Sequence, residues 1–275
     1  MHIMIKNYIL TLFLIVFAIQ LAAQTESSFA GARAGGMANA GVTLSDSWAV
    51  FNNPAAMSGI DRPVAGIFYE NRWLLKQTGY GALAFTSPLL GGNIGIGITN
   101  FGYSLFQSNK FSLGFSQQLF QNFSMGVMID YFSVRQSGDH GNLNAINFEV
   151  GLLSRPSENF AIGVHVFNPL NFSYFEDSDL KMPIAFKLGF SYLFSKSLLI
   201  AVETAKAING YVPLLRTGIE YTINNQFSFR TGVAVAPVEY AFGLGYNTGD
   251  ISFDLAYAYH EVLGSTPKIS ISYAF

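Results

Sequence analysis

The chain has 275 residues, of which 50% are hydrophobic, 15% aromatic and only 12% charged. A soluble domain carries about 25% charged residues, so half the charge needed for a watery surface is missing and a membrane is the first candidate. The net charge of −2, with 15 Lys+Arg spread along the whole chain, leaves no basic stripe for nucleic acid, and the lack of cysteine excludes disulfides and a lipid-bearing cysteine.

The first predicted element is an apolar run from Tyr8 to Ala23. It follows Lys6 and ends at "QLAAQTESS", the pattern of a secretory signal peptide over residues 1–24. A transmembrane anchor needs about 20 apolar residues, and no stop-transfer charges follow this run.

Residues 25–62 form the second unit. The stretch "GGMANAGVTLSDSWAVFNNPAAMSGI" is small and polar, yet carries Trp48, Phe51 and Met57 at no steady period. It reads as neither strand nor ordinary helix. Pro54 lacks an N–H and biases Asn53 away from helix, and the side chains of Asn52 and Asn53 can bond the backbone there. Two arrangements are open: a segment packed inside the rest of the fold, or a periplasmic tail. The aromatic residues argue for the packed one, since exposed apolar patches are rare without a docking role.

From residue 63 to the end, one pattern repeats. Large apolar residues alternate with small or polar ones, as strands with two different faces require. In 251–259 one face is Ile251, Phe253, Leu255, Tyr257 and Tyr259, and the other is Ser252, Asp254, Ala256 and Ala258. The predicted strands are 64–73, 80–88, 94–104, 110–120, 123–136, 143–155, 160–169, 184–195, 198–208, 213–224, 227–236, 238–248, 251–263 and 268–275. Segments of about ten residues suit tilted membrane-crossing strands. The links sort by parity. Those after even-numbered strands are tiny ("GGN", "QN", "SEN", "KS", "NQ", "GD"), and most after odd-numbered strands are longer. Short periplasmic turns and longer extracellular loops are the mark of an outer-membrane barrel, and an even strand count leaves both termini in the periplasm.

Charge placement agrees. Asp130, Glu149, Lys187, Glu203, Arg216, Glu220, Arg230 and Asp254 all share the parity of the small residues. A Lys or Arg facing lipid at mid-depth costs about 2–4 kcal/mol, so these charges are expected in the lumen, and their mixed signs favour pairs over a selectivity ring. Glycine is frequent on the same face, either because something lies close against the inner wall or because small residues relieve crowding. A secreted β-sandwich would need a wet outer face rich in Lys, Glu and Thr, whereas here the non-apolar face is mostly Gly, Ala and Ser. The expected fold is therefore all-β, a transmembrane antiparallel barrel of about 14 strands with an N-terminal luminal plug.

Two motifs carry a family resemblance. The stretch "GARAGGMANAGVTLSDSWAVFNNPAAMSGI", with its Gly/Ala-rich start, an Asp-containing element at 45–47 and Asn53-Pro54-Ala55, resembles the N-terminal signature of the FadL/PorV-like superfamily of outer-membrane barrels, closest to its PorV/PorQ branch. The terminal strand "SISYAF", ending in Phe275, resembles the signal read by the barrel assembly machinery. The resemblance implies a plug over 25–62 built on Asn52, Asn53, Pro54 and Ala55. It also implies a non-enzymatic outer-membrane protein, either an accessory that binds secretion-system proteins (type IX-like) or a FadL-type passive transporter of long-chain fatty acids or other small hydrophobic molecules. The departure from both is the short external loops. FadL-type barrels also open laterally, and Pro88 or Pro169 would be the place, since proline cannot donate to a ladder.

No catalytic constellation, cofactor motif or metal motif is expected. His2, His140, His165 and His260 share no local frame with a Ser and an Asp, and "GIGIG" precedes no helix. The aromatic group Phe172, Tyr174 and Phe175, followed by Glu176, Asp177 and Asp179, reads either as a loop for a ligand or partner or as part of the membrane-interface girdle.

Overall fold

The computed structural model describes residues 29–137, 142–172, 182–208 and 213–275. The predicted signal peptide lies outside the described residues. The barrel wall is made of β1 (Val64–Asn71), β2 (Gly79–Leu89), β3 (Gly92–Tyr103), β4 (Phe106–Phe120), β5 (Phe123–Gln136), β6 (Asn142–Ser157), β7 (Phe160–Phe167), β8 (Ala185–Ser195), β9 (Leu198–Ala207), β10 (Leu214–Ile223), β11 (Phe227–Val235), β12 (Glu239–Asn247), β13 (Ile251–His260) and β14 (Gly264–Ala274). Every neighbouring pair is antiparallel, and β1 closes the ring on β14 from Val64↔Ala274 to Glu70↔Lys268. Closure satisfies every strand edge, which lipid demands because it offers no hydrogen-bond partner.

The fold thus has the predicted strands, with boundaries shifted by a few residues. The largest shifts are at the starts of β4, which begins at Phe106, and β14, which begins at Gly264 and takes in Pro267. Pro267 pairs with Tyr257 of β13 but sits one residue past the last β1 partner, Lys268, so the ring has a strand on only one side of it. The proposed wall break at proline is corrected. Pro88 pairs with Asn93 inside an uninterrupted β2–β3 register, and Pro169 lies beyond the end of β7.

The two faces separate as the alternation requires. Outward residues such as Ile67, Phe111, Phe229, Phe242 and Ile271 are exposed, while the intervening positions are buried. Six short turns sit at one end. The β2–β3 turn has positive φ at both Leu90 and Gly91, the geometry of a two-residue hairpin loop. Phe275 N–H donates to Pro63 O at 2.9 Å, so both ends of the wall meet at this short-turn end. The other ends of β1 and β7, with the link 72–78 after β1, are at the opposite end.

Residues 29–60 lie inside the ring. They contain α1 (Ala32–Gly35), α2 (Ala49–Asn52) and a 3-10 helix, Pro54–Gly59. Such short helices are marginal alone, and their order comes from packing against the wall. The segment circles the lumen. Phe29 starts near β8 and β10, α1 rests on β12–β14, and residues 36–42 cross β11 to β7. The 3-10 helix then lies on β4–β6, and the chain reaches β1 past Asn93, whose Nδ2 donates to Ile60 O at 2.6 Å.

Candidate functional site

Glycines make the close approach between segment and wall. A Cβ on Gly218 or Gly232 would overlap Met37, and one on Gly243 would meet the Gly36 backbone. On Gly163 it would meet the Val42 carbonyl, and on Gly126 or Gly151 the Asn53–Ala55 turn. Of the two readings of the inward glycines, these positions support close approach. Gly114 and Gly245 instead face wall side chains.

The Asn-Pro-Ala stretch is built as a knot. Asn53 is extended (φ −164°, ψ 112°), and its Oδ1 accepts from Ala55 N at 3.1 Å, which replaces the donor that Pro54 lacks. Its Nδ2 donates to Val42 O at 2.8 Å within the segment and to Leu152 O at 3.2 Å on β6. Asn52 Nδ2 donates to Ala30 O at 3.2 Å. Trp48 stacks edge-on against Phe68 at 5.7 Å, Phe51 lies under Lys110 Nζ at 5.6 Å, and Met57 packs on Gly95. All seven residues are buried.

The eight luminal charges named from the sequence are buried, and they fall into three groups. In the first, Lys110 Nζ lies 3.0 Å from Glu149 and 3.6 Å from Asp130, and His165 Nε2 meets Glu149 at 2.7 Å. Ser112 and Asn147 donate to Asp130 at 2.5 and 3.1 Å. In the second, Glu203 accepts from Arg216 at 3.2 Å and from the backbone N–H groups of Gly41 and Val42 at 3.0 and 2.9 Å. The ring of Phe29 is flanked by Lys187 Nζ at 3.9 Å and Arg216 Cζ at 4.3 Å. Among the described residues, Lys187 Nζ has no hydrogen-bond partner. In the third, Arg230 bonds Glu220 at 2.6 Å and Asp254 at 2.7 Å. Arg33 of the segment joins this group through Glu220 and, at 3.4 Å, Asp46. A polar cavity of about 290 Å³, lined by Arg33, Asp46, Glu220, Arg230 and Asp254 among others, opens beside it. Pairing offsets the heavy desolvation of buried charges, which an isolated ion in the lumen would bear alone.

Sequence reasoning missed a fourth group. Glu70 meets Arg72 at 2.5 Å and Lys268 at 3.3 Å, and Arg72 lies over Tyr80 and Phe101 at 5.0 and 5.5 Å. Lys110 and Lys268 open the predicted strands 110–120 and 268–275, but the structure starts β4 and β14 four residues earlier and places both well inside, while Glu70 is one residue from the end of β1. Their parity with Gly66, Ser270 and Ser112 was the available signal. Beside this charged group, inward-facing aromatic residues gather toward the long-loop end. Phe68 and Tyr80 stack at 6.0 Å, and Phe132 and Phe167 at 6.2 Å.

Phe172 packs on Phe148 at 5.8 Å, and its N–H donates to Asn168 Oδ1 at 2.7 Å. Tyr174, Phe175 and the acids after them lie outside the described residues, as does His140. Among the described residues no group of three His, Asp or Glu is arranged to hold a metal ion. Phe275 stacks on Tyr273 at 4.9 Å.

No protein-family model matches the chain, and no curated protein matches it. Its fold is shared with solved structures. One is CymD, a monoaromatic hydrocarbon channel, at 13% identity and a TM-score of 0.69 over 92% of this chain and 99% of that one. Another is the Ralstonia pickettii toluene transporter TbuX, at 13% identity and 0.68 over 91% and 99%. A third is a Pseudomonas aeruginosa FadL homologue, at 14% identity and 0.66 over 90% and 99%. The chain therefore has the fold of FadL-like outer-membrane channels. Nothing in these likenesses singles out the PorV/PorQ branch.

Proposed function

We propose that this protein is a non-enzymatic outer-membrane channel for small hydrophobic molecules, the FadL-type alternative of the sequence reading. The observation that carries the proposal is the cluster of inward-facing aromatic residues toward the long-loop end, Phe68, Tyr80, Phe101, Phe132 and Phe167, in a barrel whose solved fold neighbours include two aromatic hydrocarbon carriers. Apolar walls with a few placed polar groups are what apolar ligands select. In this reading the long-loop end faces outward and both termini are periplasmic. Residues 25–62 are the plug, with Asn52, Asn53, Pro54 and Ala55 as its fold point, and the luminal charges hold it to the wall. Phe172, packed on Phe148, offers an apolar landing at the mouth.

The secretion-accessory reading finds no support in the comparisons. Both readings are tested by one purification from detergent-solubilised outer membrane. Enriched hydrophobic small molecule without a protein partner, together with faster uptake of labelled toluene or oleate by expressing cells, supports the channel. Co-purified secretion components with unchanged uptake reject it.

A further inference from the structure

The wall is uneven. β1 has 8 residues, β13 has 10, and β6 has 16. At about 3.3 Å per residue and a tilt near 40°, β1 rises only about 20 Å, less than the roughly 25 Å apolar band of such barrels. Chain flanking β1 must complete the band. The flank at the short-turn end is charged, with Asp61 exposed and Arg62 paired to Asp250 at 2.7 Å. At the other end are Leu74 and Leu75, 61% and 51% exposed.

The geometry there is held under strain. β14 continues to Gly264 after its last β1 partner, and the 3-10 turn Arg72–Leu74 stands where β1 has stopped. Trp73 N–H bonds Thr266 Oγ1 of β14 at 3.2 Å. Trp73 and Leu74 both have positive φ, 57° and 56°. Non-glycine residues keep this conformation only where their surroundings impose it. The Arg72–Glu70 pair and the Trp73 bond impose it here. Neighbouring loops add more exposed aliphatic residues: Val262 and Leu263 between β13 and β14, and Leu105 between β3 and β4. These three loops are consecutive around the rim. Below them run exposed Tyr69, Leu83, Ile98 and Tyr259, so the patch is continuous with the outward apolar face of the wall.

We propose that the rim formed by Leu74, Leu75, Leu105, Val262 and Leu263 is seated in the acyl region of the lipid leaflet at the long-loop end. The partner is lipid chains, because the patch extends a lipid-facing surface and Lys76 and Glu261 are its only charges apart from the inward-turned Arg72. The inference rests on the barrel alone and is independent of what the channel carries.

The chain has two tryptophans, and Trp48 is buried in the lumen, so the difference between wild type and Trp73→Phe isolates the emission of Trp73. The full chain is reconstituted in bilayers of phosphatidylcholine with brominated acyl chains and, separately, in unbrominated bilayers with aqueous iodide. The proposal expects brominated chains to remove most of the Trp73 emission and iodide to remove little. Stronger quenching by iodide overturns it, and so does protection from both quenchers, which would mean that protein covers the rim. Leu74→Ser with Leu75→Ser, both exposed positions, is expected to shift Trp73 toward iodide, and an unchanged pattern in that variant overturns the role of the two leucines.

Discussion

Arg33 grips Glu220 with two hydrogen bonds, Nε to Oε2 at 2.9 Å and Nη2 to Oε1 at 2.7 Å, and so ties the luminal segment to β10, 187 residues away in sequence. A bidentate pair adds geometric specificity to charge. Glu220 is shared, because Arg230 Nε also bonds it at 2.6 Å.

Glu220→Gln is expected to loosen the segment. Two guanidinium groups then face each other with one neutral amide between them, and breaking a buried pair this way costs roughly 3–5 kcal/mol, less here because Arg33 is partly exposed. Conductance across planar bilayers and protease cleavage within residues 29–60 should both rise. If neither changes, Arg33 and Glu220 do not hold the segment.

The glycine face makes a separable prediction. Gly126→Ala places a Cβ inside the Pro54–Ala55 backbone, whereas the nearest atom to a Cβ on Gly81 is Phe68 O at 3.9 Å. Overpacking of this kind costs about 1–3 kcal/mol. The Gly126 variant should keep its heat-resistant barrel form on gels yet show more cleavage in the segment than Gly81→Ala. Equal behaviour of the two would refute close approach as the reason for glycine at 126.

Asn53→Ala removes three hydrogen bonds at once, to Val42 O, Leu152 O and Ala55 N. At about 0.5–1.5 kcal/mol per bond, the variant should lose more thermal stability than Asn52→Ala, whose side chain bonds Ala30 O alone among its contacts here. Melting curves in detergent would read the difference, and the reverse order would sink the fold-point role of Asn53.

Glu149 lies between Lys110 and His165, at 3.0 and 2.7 Å. Glu149→Leu leaves a buried ammonium with only Asp130 at 3.6 Å, and should destabilise by about 3–5 kcal/mol. Lys110→Met added to it should recover part of that loss, since replacing both partners by apolar groups is often neutral. A double-mutant cycle on thermal melts checks this, and additive losses would show that the pair is not coupled.

Much of the wall was legible before any coordinates. Ile251 to Tyr259 alternates because one face meets lipid and the other a crowded lumen, and that contrast recurs strand after strand. Charge parity was legible for the same reason at Glu203, Arg216 and Glu220. Glu70, Lys110 and Lys268 follow the same parity and were overlooked; Lys110 and Lys268 open predicted strands that in the structure begin four residues earlier. The wall break expected at Pro88 failed because a proline near a hairpin end leaves the register intact.

Period-two alternation, two-residue turns and the placement of charge are local properties of the chain, and they suffice for a barrel with distinct inner and outer faces. Which inner groups meet is a different matter. Glu203 takes the N–H groups of Gly41 and Val42, Arg33 finds Glu220, and Met37 fills the space above Gly218 and Gly232. Those meetings depend on the curvature of the closed ring and the path of residues 29–60 within it. Both emerge only when all fourteen strands close together, because no local stretch of sequence encodes a distance across the lumen.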